Sequence, residues 1–338
     1  MLTGLPTAKS EAQWNLSASP WILSWVEFRT YSIPMRTRFR GLEHRQGMLA
    51  EGPAGWAEFS PFPEYDHVAS LPWLQAAMEA ACKPWPEPVR ECVPINGIVP
   101  AVGDGATAAR TAVESGCHTI KVKVAESGET LENDIERIAA IRDALPGVLI
   151  RIDANGAWNV KDAIKAIKKL DHVARGLEYV EQPCATVEEL AQVRRKVDVP
   201  IAADESIRRA ADPFRVRDMD AADIAVLKVQ PLGGVRACLR IAEQIGMPVS
   251  VSSAVETSIG LAASVALAAA LPDLPYACGI GTAHLLTSDV VADPLEPVDG
   301  SLWPTRPVLD EVAYAKVAAP PEVDERWQAR LAHVRETL

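Results

Sequence analysis

No two of the six cysteines form a Cys-x-x-Cys pair; Cys82, Cys92, Cys117, Cys184, Cys238 and Cys278 are dispersed along the chain. That spacing excludes a thiolate metal knuckle or a disulfide framework and reads as reduced, mostly buried thiols of a cytoplasmic protein. The six histidines (His44, His67, His118, His172, His284 and His333) show no ligand spacing, so none is assigned to a site. Positive charge is in deficit: 34 Lys and Arg stand against 45 Asp and Glu, a net charge of −11. A nucleic-acid surface needs clustered cations and is not expected, whereas a small acid bound at a locally positive, metal-containing centre remains compatible. No apolar run is long enough for a bilayer; GLAASVALAAAL at 260–271 reads as a packed helix. Residues 1 to 20 lack a basic start followed by an apolar stretch, so export is not expected.

At 338 residues and 48% hydrophobic, the chain is long enough for one barrel-sized core with a smaller appended unit. From Trp25 to about Pro63, strand-like runs alternate with turn residues, the pattern of a meander. LPWLQAAMEAACKPW then sets Leu71, Leu74 and Met78 at helical spacing, and Pro84 and Pro86 stop it. From Cys92 onward, the runs CVPINGIVP, HTIKVKV, GVLIRIDAN, LEYVEQP, VPIAADES, ADIAVLKV, MPVSVSS and YACGIG read as eight buried parallel strands. Amphipathic stretches separate them, such as NVKDAIKAIKKL with an apolar face of Val160, Ile164 and Ile167. After about Asp293 the pattern becomes loop or short strand. A last segment puts Val323, Trp327 and Leu331 on one helical stripe, expected to pack back on the amino-terminal unit.

Three acids end three successive runs: Asp153, Glu181 and Asp204. Lys121 and Lys123 precede them on one run and Lys228 follows on another, each interval fitting one strand–helix unit of a parallel βα array. In a barrel of such units all strand ends open on one face, so the six side chains converge. Taken singly, Lys-x-Lys is a solvated strand edge and a strand-end Asp is a helix cap. Taken together, they share no structural explanation.

Three ionised carboxylates about 5 Å apart at an effective dielectric near 20 cost on the order of 10 kcal/mol, which a bound cation offsets. Hard oxygen ligands without His or Cys select Mg²⁺, with Mn²⁺ as the alternative. Such a metal stabilises the enediolate formed when a carboxylate substrate loses its α-proton, and an amine serves as base. Lys121 and Lys123, two apart on a strand, share a face. Arg151 and Asn155 flank Asp153 at intervals of two. Ser252 and Ser253 end the seventh run, and Gly279 and Gly281 the eighth, where barrels carry substrate contacts and glycine lets backbone N–H groups approach an anion.

Lys121-Val-Lys123, Asp153-Ala-Asn155, Glu181-Gln-Pro183, Asp204-Glu205-Ser206 and Lys228 resemble the catalytic pattern of the enolase superfamily, in its muconate lactonizing subgroup. The resemblance covers nearly the whole chain. It implies an α/β fold, a (β/α)₇β modified TIM barrel over residues 92–302. It also implies an α+β capping domain built from residues 1–91 and a carboxy-terminal tail, 303–338. Cap loops near Ser32 to Arg40 would carry specificity, and the stretch before Trp25 is longer than the subgroup's usual start. Within the subgroup, Arg151 to Trp158, Ser252 to Ser258 and Gly279 to Thr282 are most similar to the branch that dehydrates 2-succinyl-6-hydroxy-2,4-cyclohexadiene-1-carboxylate. Lys123 would then take the α-proton and protonate the leaving hydroxyl, while Lys228 acts as a cation beneath the enediolate. Asp153, Glu181 and Asp204 would hold the metal. The same groups serve racemases and epimerases of the subgroup, with Lys123 and Lys228 exchanging protons on opposite faces. A barrel that binds an acidic metabolite without turnover needs no amines on both sides of one carbon.

Overall fold

The computed structural model describes residues 27–39, 41–210 and 212–337. The stretch before Trp25 lies outside them. The amino-terminal meander forms as its alternation predicts: β1 (Phe28–Phe39), β2 (Leu42–Gly52) and β3 (Gly55–Phe59) make one antiparallel sheet. Both faces of this sheet are covered, which is why apolar residues occupy consecutive positions in β2. Met48, Ala50 and Phe59 face the helix Leu71–Cys82 and the carboxy-terminal helix, whereas Tyr31, Ile33 and Leu49 pack with Val255, Ile259 and Leu285 of the barrel side. The expected loop from Ser32 to Arg40 is instead mostly strand. β1 pairs with β2 as far as Pro34, and the register shifts between Pro34 and Phe39. Arg40 lies outside the described residues.

The last helix, Pro321–Arg335, returns to this unit and buries Val323, Trp327, Leu331 and Val334. Trp327 meets Phe59 edge-on at 6.0 Å, and Trp73 of the first helix meets Phe62 at 5.7 Å. Trp327→Ala is therefore expected to cost about 3–5 kcal/mol, the usual loss for a buried aromatic, read as a lowered midpoint in urea unfolding.

Seven parallel strands follow in sequence order: β5 (Gly97–Val99), β6 (Thr119–Lys123), β7 (Leu149–Asp153), β8 (Val180–Glu181), β9 (Ile201–Ala203), β10 (Ile224–Leu227) and β11 (Val249–Val251). Side chains fill the inside and helices cover the outside, so strands such as β10 are buried throughout. The eighth run forms no strand, yet it closes the barrel by parallel bridges from Cys278 to Ile95 and from Gly279 to Ser252. The Cys278 amide donates to Pro94 O at 2.7 Å and the Gly279 amide to Val251 O at 2.8 Å. The first run is a correction of another kind. Only its second half is a barrel strand, because β4 (Val93–Pro94) pairs antiparallel with β12 (Ser301–Leu302).

The covering helices follow the sequence, with one shift of face. In Val160–Ala174 the buried residues are Ala163, Ala166, Ile167, Leu170 and Ala174, while Val160 and Ile164 are half-buried. Alanines on the inner face bring the helix close to the sheet, and the lysines at 161, 165, 168 and 169 stay outside. Ser258–Ala270, the apolar run too short for a membrane, is buried along nearly its whole length. Among the described residues no helix is long and apolar enough to cross a membrane.

Candidate active site

Strand register places the charged groups side by side. Lys123 is the direct partner of Asp153, and Asp153 of Glu181, across adjacent parallel strands. Lys121 sits one inward-facing position lower on β6, opposite Arg151. Asp204 follows β9, and Lys228 follows β10. All six expected groups meet at the carboxyl ends of the barrel strands.

Ion pairs join them in two groups, Lys121 and Lys123 with Asp153 and Glu181, and Lys228 with Asp204. Lys121 Nζ lies 3.1 Å from Glu181 Oε2 and 3.7 Å from Asp153 Oδ2, bridging the two acids. Lys123 Nζ bonds Asp153 Oδ2 and donates to Asn155 Oδ1 at 2.7 Å. Lys228 Nζ donates to Asp204 Oδ2 at 2.8 Å, and Arg208 Nε holds the other oxygen of Asp204 at 2.9 Å. Burial opposes charge throughout. It would raise Asp153, yet the ammoniums of Lys123 and Lys121 pull that carboxyl down to about 2. Burial, and then the charge of Asp153, push Glu181 up to about 7. Burial also works against the Lys121 ammonium, but Glu181 and Asp153 outweigh it and hold Lys121 above the ordinary lysine range.

The donor set has the chemistry of a hard-cation site: three buried carboxylates on neighbouring strand ends, with repulsion between Asp153 and Glu181 that a divalent cation would relieve. Among the described residues no three acidic side chains stand close enough together to hold an ion, and the Lys121 ammonium bridges Asp153 and Glu181. The residues fit such a cation in kind and in charge.

A small cavity, about 30 Å³, opens above the network. Lys121, Lys123, Asp153, Asn155, Lys228, Ser252, Ser253 and Gly279 line it, as expected. Glu181 and Asp204 do not line it, but each is paired to a lysine that does. Two expected contacts are placed elsewhere. Arg151 is fully buried inside the barrel, 2.5 Å from Glu178, donating to Tyr179 Oη and Ala277 O and stacked on the Tyr179 ring. Gly281 serves packing, since a Cβ there would sit 2.6 Å from Ile95 Cδ1. At Gly279 the missing side chain matters to the site: a Cβ would lie 3.0 Å from Ser252 Oγ and 3.5 Å from Lys121 Nζ. A larger cavity of about 360 Å³, between 101–106 and the helix Leu131–Ala144, shares no lining residue with this one.

Several lining or supporting residues escaped the sequence reading. Phe62 reaches the cavity from the cap, together with Ile98, Ala254, Val255 and Thr282 from the barrel. Phe62 sits in Ser-Pro-Phe-Pro directly after β3, and its flanking prolines were the available signal. Gln182, fully buried, supports the site from beside Glu181. Its Oε1 accepts the backbone N–H groups of Asp204 (3.0 Å) and Ser206 (3.1 Å), and its Nε2 donates to Cys184 O and Ser206 Oγ. The amide thereby fixes the loop that carries Asp204.

Cap and barrel are joined beside the cavity by a buried polar seam. Arg45 donates to Val255 O (2.9 Å), Ser60 O (2.6 Å) and Ser60 Oγ (2.8 Å). Glu58 accepts from Tyr31 Oη (2.8 Å) and from the Thr257 amide (3.0 Å). Next to them Glu256 is fully buried, with Oε1 unbonded, and burial followed by the Glu58 charge pushes it up to about 7. A carboxyl raised in the fold from 4.5 holds its proton when the unfolded chain has lost it, so its contribution to stability falls as pH rises from about 4.5 through about 7. The full loss is on the order of 3 kcal/mol. Glu256→Gln is expected to flatten this slope and to raise Tm above pH 7 relative to the parent, read by thermal unfolding at several pH values.

The chain belongs to the enolase superfamily: residues 104–307 match the enolase C-terminal domain-like family and residues 30–81 the enolase N-terminal domain-like family. Membership implies a divalent metal. The chain is 60% identical to the o-succinylbenzoate synthase of Thermobifida fusca, over 91% of this chain and 95% of that relative. It is 50% identical to the o-succinylbenzoate synthase of Mycolicibacterium smegmatis, over 89% of this chain and 92% of that one. The fold matches the crystal structure of muconate cycloisomerase from Pseudomonas fluorescens at a TM-score of 0.73 and 21% identity, covering 87% of this chain and 98% of that structure. This likeness shows the modified TIM barrel with its cap.

Proposed function

We propose that this protein is an o-succinylbenzoate synthase, a lyase that dehydrates 2-succinyl-6-hydroxy-2,4-cyclohexadiene-1-carboxylate in menaquinone biosynthesis. The observation that carries the reading is the pairing of Lys123 with Asp153 and of Lys228 with Asp204 around one cavity. It is supported by the 60% identity to a relative of that name. We take residues 92–302 as the barrel and residues 1–91 with 303–338 as the cap.

Asp153, Glu181 and Asp204 are proposed to hold the cation, Mg²⁺ or Mn²⁺. When bound, it supplies Lewis-acid stabilisation to a substrate carboxylate whose charge grows as the α-proton leaves. Lys123 is proposed to take that proton. Asn155 and Asp153 aim its Nζ and accept hydrogen bonds from the ammonium that results. The same ammonium then protonates the hydroxyl that departs from the neighbouring carbon on the same face. Lys228 faces the developing negative charge as a fixed cation, steadied by Asp204. Lys121, between Asp153 and Glu181, keeps the two acids from repelling one another. Ser252, Ser253 and the Gly279 backbone are proposed to contact the substrate, and Phe62 to cover it. The six free cysteines suit a reducing, cytoplasmic setting.

Because Lys123 and Lys228 both line the cavity, a second reaction is open to the same groups: exchange of an α-proton between two faces, as in racemisation of an N-succinylamino acid or epimerisation of a dipeptide. The deciding experiment is an assay of the purified protein with Mg²⁺ on the cyclohexadiene carboxylate and on N-succinylamino acids. Dehydration at the higher kcat/KM is expected. Racemisation without dehydration would overturn the assignment.

A further inference from the structure

Lys123 is the last residue of β6, and its amine must be aimed although the strand ends beneath it. Two residues on, Ala125 takes φ +59°, a left-handed conformation that costs a non-glycine residue on the order of 1 kcal/mol and persists only where its surroundings impose it. The imposing groups lie on the helix Leu131–Ala144. Asp134 Oδ2 accepts the Ala125 N–H at 3.0 Å, and Asp134 Oδ1 accepts Arg137 Nη1 at 2.7 Å. Arg137 in turn donates to the carbonyls of Lys123 (3.4 Å) and Ala101. Both side chains are buried, and Gly105, at the start of the helix Gly105–Glu114, leaves room for Arg137: a Cβ there would sit 2.6 Å from Arg137 Cγ.

We propose that the Asp134–Arg137 ion pair is the positioning device for the Lys123 amine, clamping the backbone on both sides of Val124 and thereby setting the reach of Lys123 toward the substrate carbon. This rests on the assignment of Lys123 as the base. One member grips the N–H beyond Val124 and the other the carbonyl before it, so rotation of the strand end breaks both contacts. Asp134 spends each of its oxygens on a different partner, and neither touches the cavity. The pair therefore acts through Lys123 and not on the substrate.

The test compares Asp134→Asn and Arg137→Gln with Arg142→Gln. Arg142 is buried on the same helix but bonds the carbonyls of Ala174 (2.6 Å) and Val148 (2.8 Å), near the opposite end of the barrel strands. For the two clamp variants kcat is expected to fall roughly 10- to 100-fold with KM within about twofold, the scale of a base displaced by about 1 Å. The kinetic isotope effect on kcat with substrate deuterated at the α-carbon should rise in both, since proton removal becomes slower. Arg142→Gln should lower Tm while leaving kcat and the isotope effect unchanged. If Arg137→Gln does not fold, Asp134→Asn decides alone, because asparagine keeps an oxygen for Ala125 and loses only the ion pair. Unchanged kcat and isotope effect in the clamp variants, or equal losses in Arg142→Gln, overturn the proposal. A parent protein that removes no α-proton from the cyclohexadiene carboxylate would instead overturn the function on which it rests.

Discussion

Lys123→Ala is expected to abolish dehydration and, with it, exchange of the substrate α-proton with solvent deuterium. One amine is assigned both proton transfers, removal from carbon and delivery to the leaving hydroxyl, so its loss compounds two steps each worth roughly 10²- to 10⁴-fold. No neighbour is placed to substitute. Lys121 is held between Glu181 and Asp153, with its ammonium favoured by both, and lies one inward position lower in the barrel. Lys228→Ala should be less severe, about 10²- to 10³-fold in kcat, the scale of a single group facing developing negative charge. Following the aromatic product by absorbance in both variants checks the order of these effects.

Chelation is expected to be as damaging. EDTA should abolish turnover, and Mg²⁺ or Mn²⁺ should restore it. Asp153→Asn, Glu181→Gln and Asp204→Asn should each weaken Mg²⁺ binding by at least about tenfold, a loss already seen when only the supports of metal ligands are altered. Calorimetric titration with Mg²⁺ reads that effect without reference to activity. Full turnover in metal-free buffer would contradict the assignment of the three acids. Glu181 is the most informative of them, because burial and Asp153 already hold it up to about 7 and neutralisation by glutamine removes a repulsion as well as a ligand.

The barrel and its charged strand ends were legible in the sequence for a physical reason. Parallel strands covered on both faces must be near-continuous apolar runs, and a Lys, Asp or Glu at the end of such a run is conspicuous, as with Lys123 after HTIKV and Asp153 after GVLIRI. Side-chain direction beyond the strand was not legible. Arg151 alternates with Asp153 and so shares its face, but one residue pair lower on a strand means the closed interior of the barrel, where Glu178 and Tyr179 claim the guanidinium. Gly281 shows the same limit, since a glycine needed for packing against Ile95 reads identically to one that admits an anion. The loop near Ser32 to Arg40 was implied by the resemblance alone, whereas Ser32, Ile33 and Pro34 pair regularly with β2 and the strand runs to Phe39. Phe62 and Gln182 act through contacts distant in sequence, and the Asp134–Arg137 pair through backbone groups at the end of β6; no periodicity marks any of them.

The most direct test of the account is the dehydration rate of Lys123→Arg measured beside that of Lys228→Arg. Guanidinium stays protonated near neutrality and cannot serve as a base, but it keeps the positive charge. Lys123→Arg is therefore predicted to be inactive, while Lys228→Arg retains part of the parent rate. An active Lys123→Arg protein would show that another group takes the proton and would contradict the account.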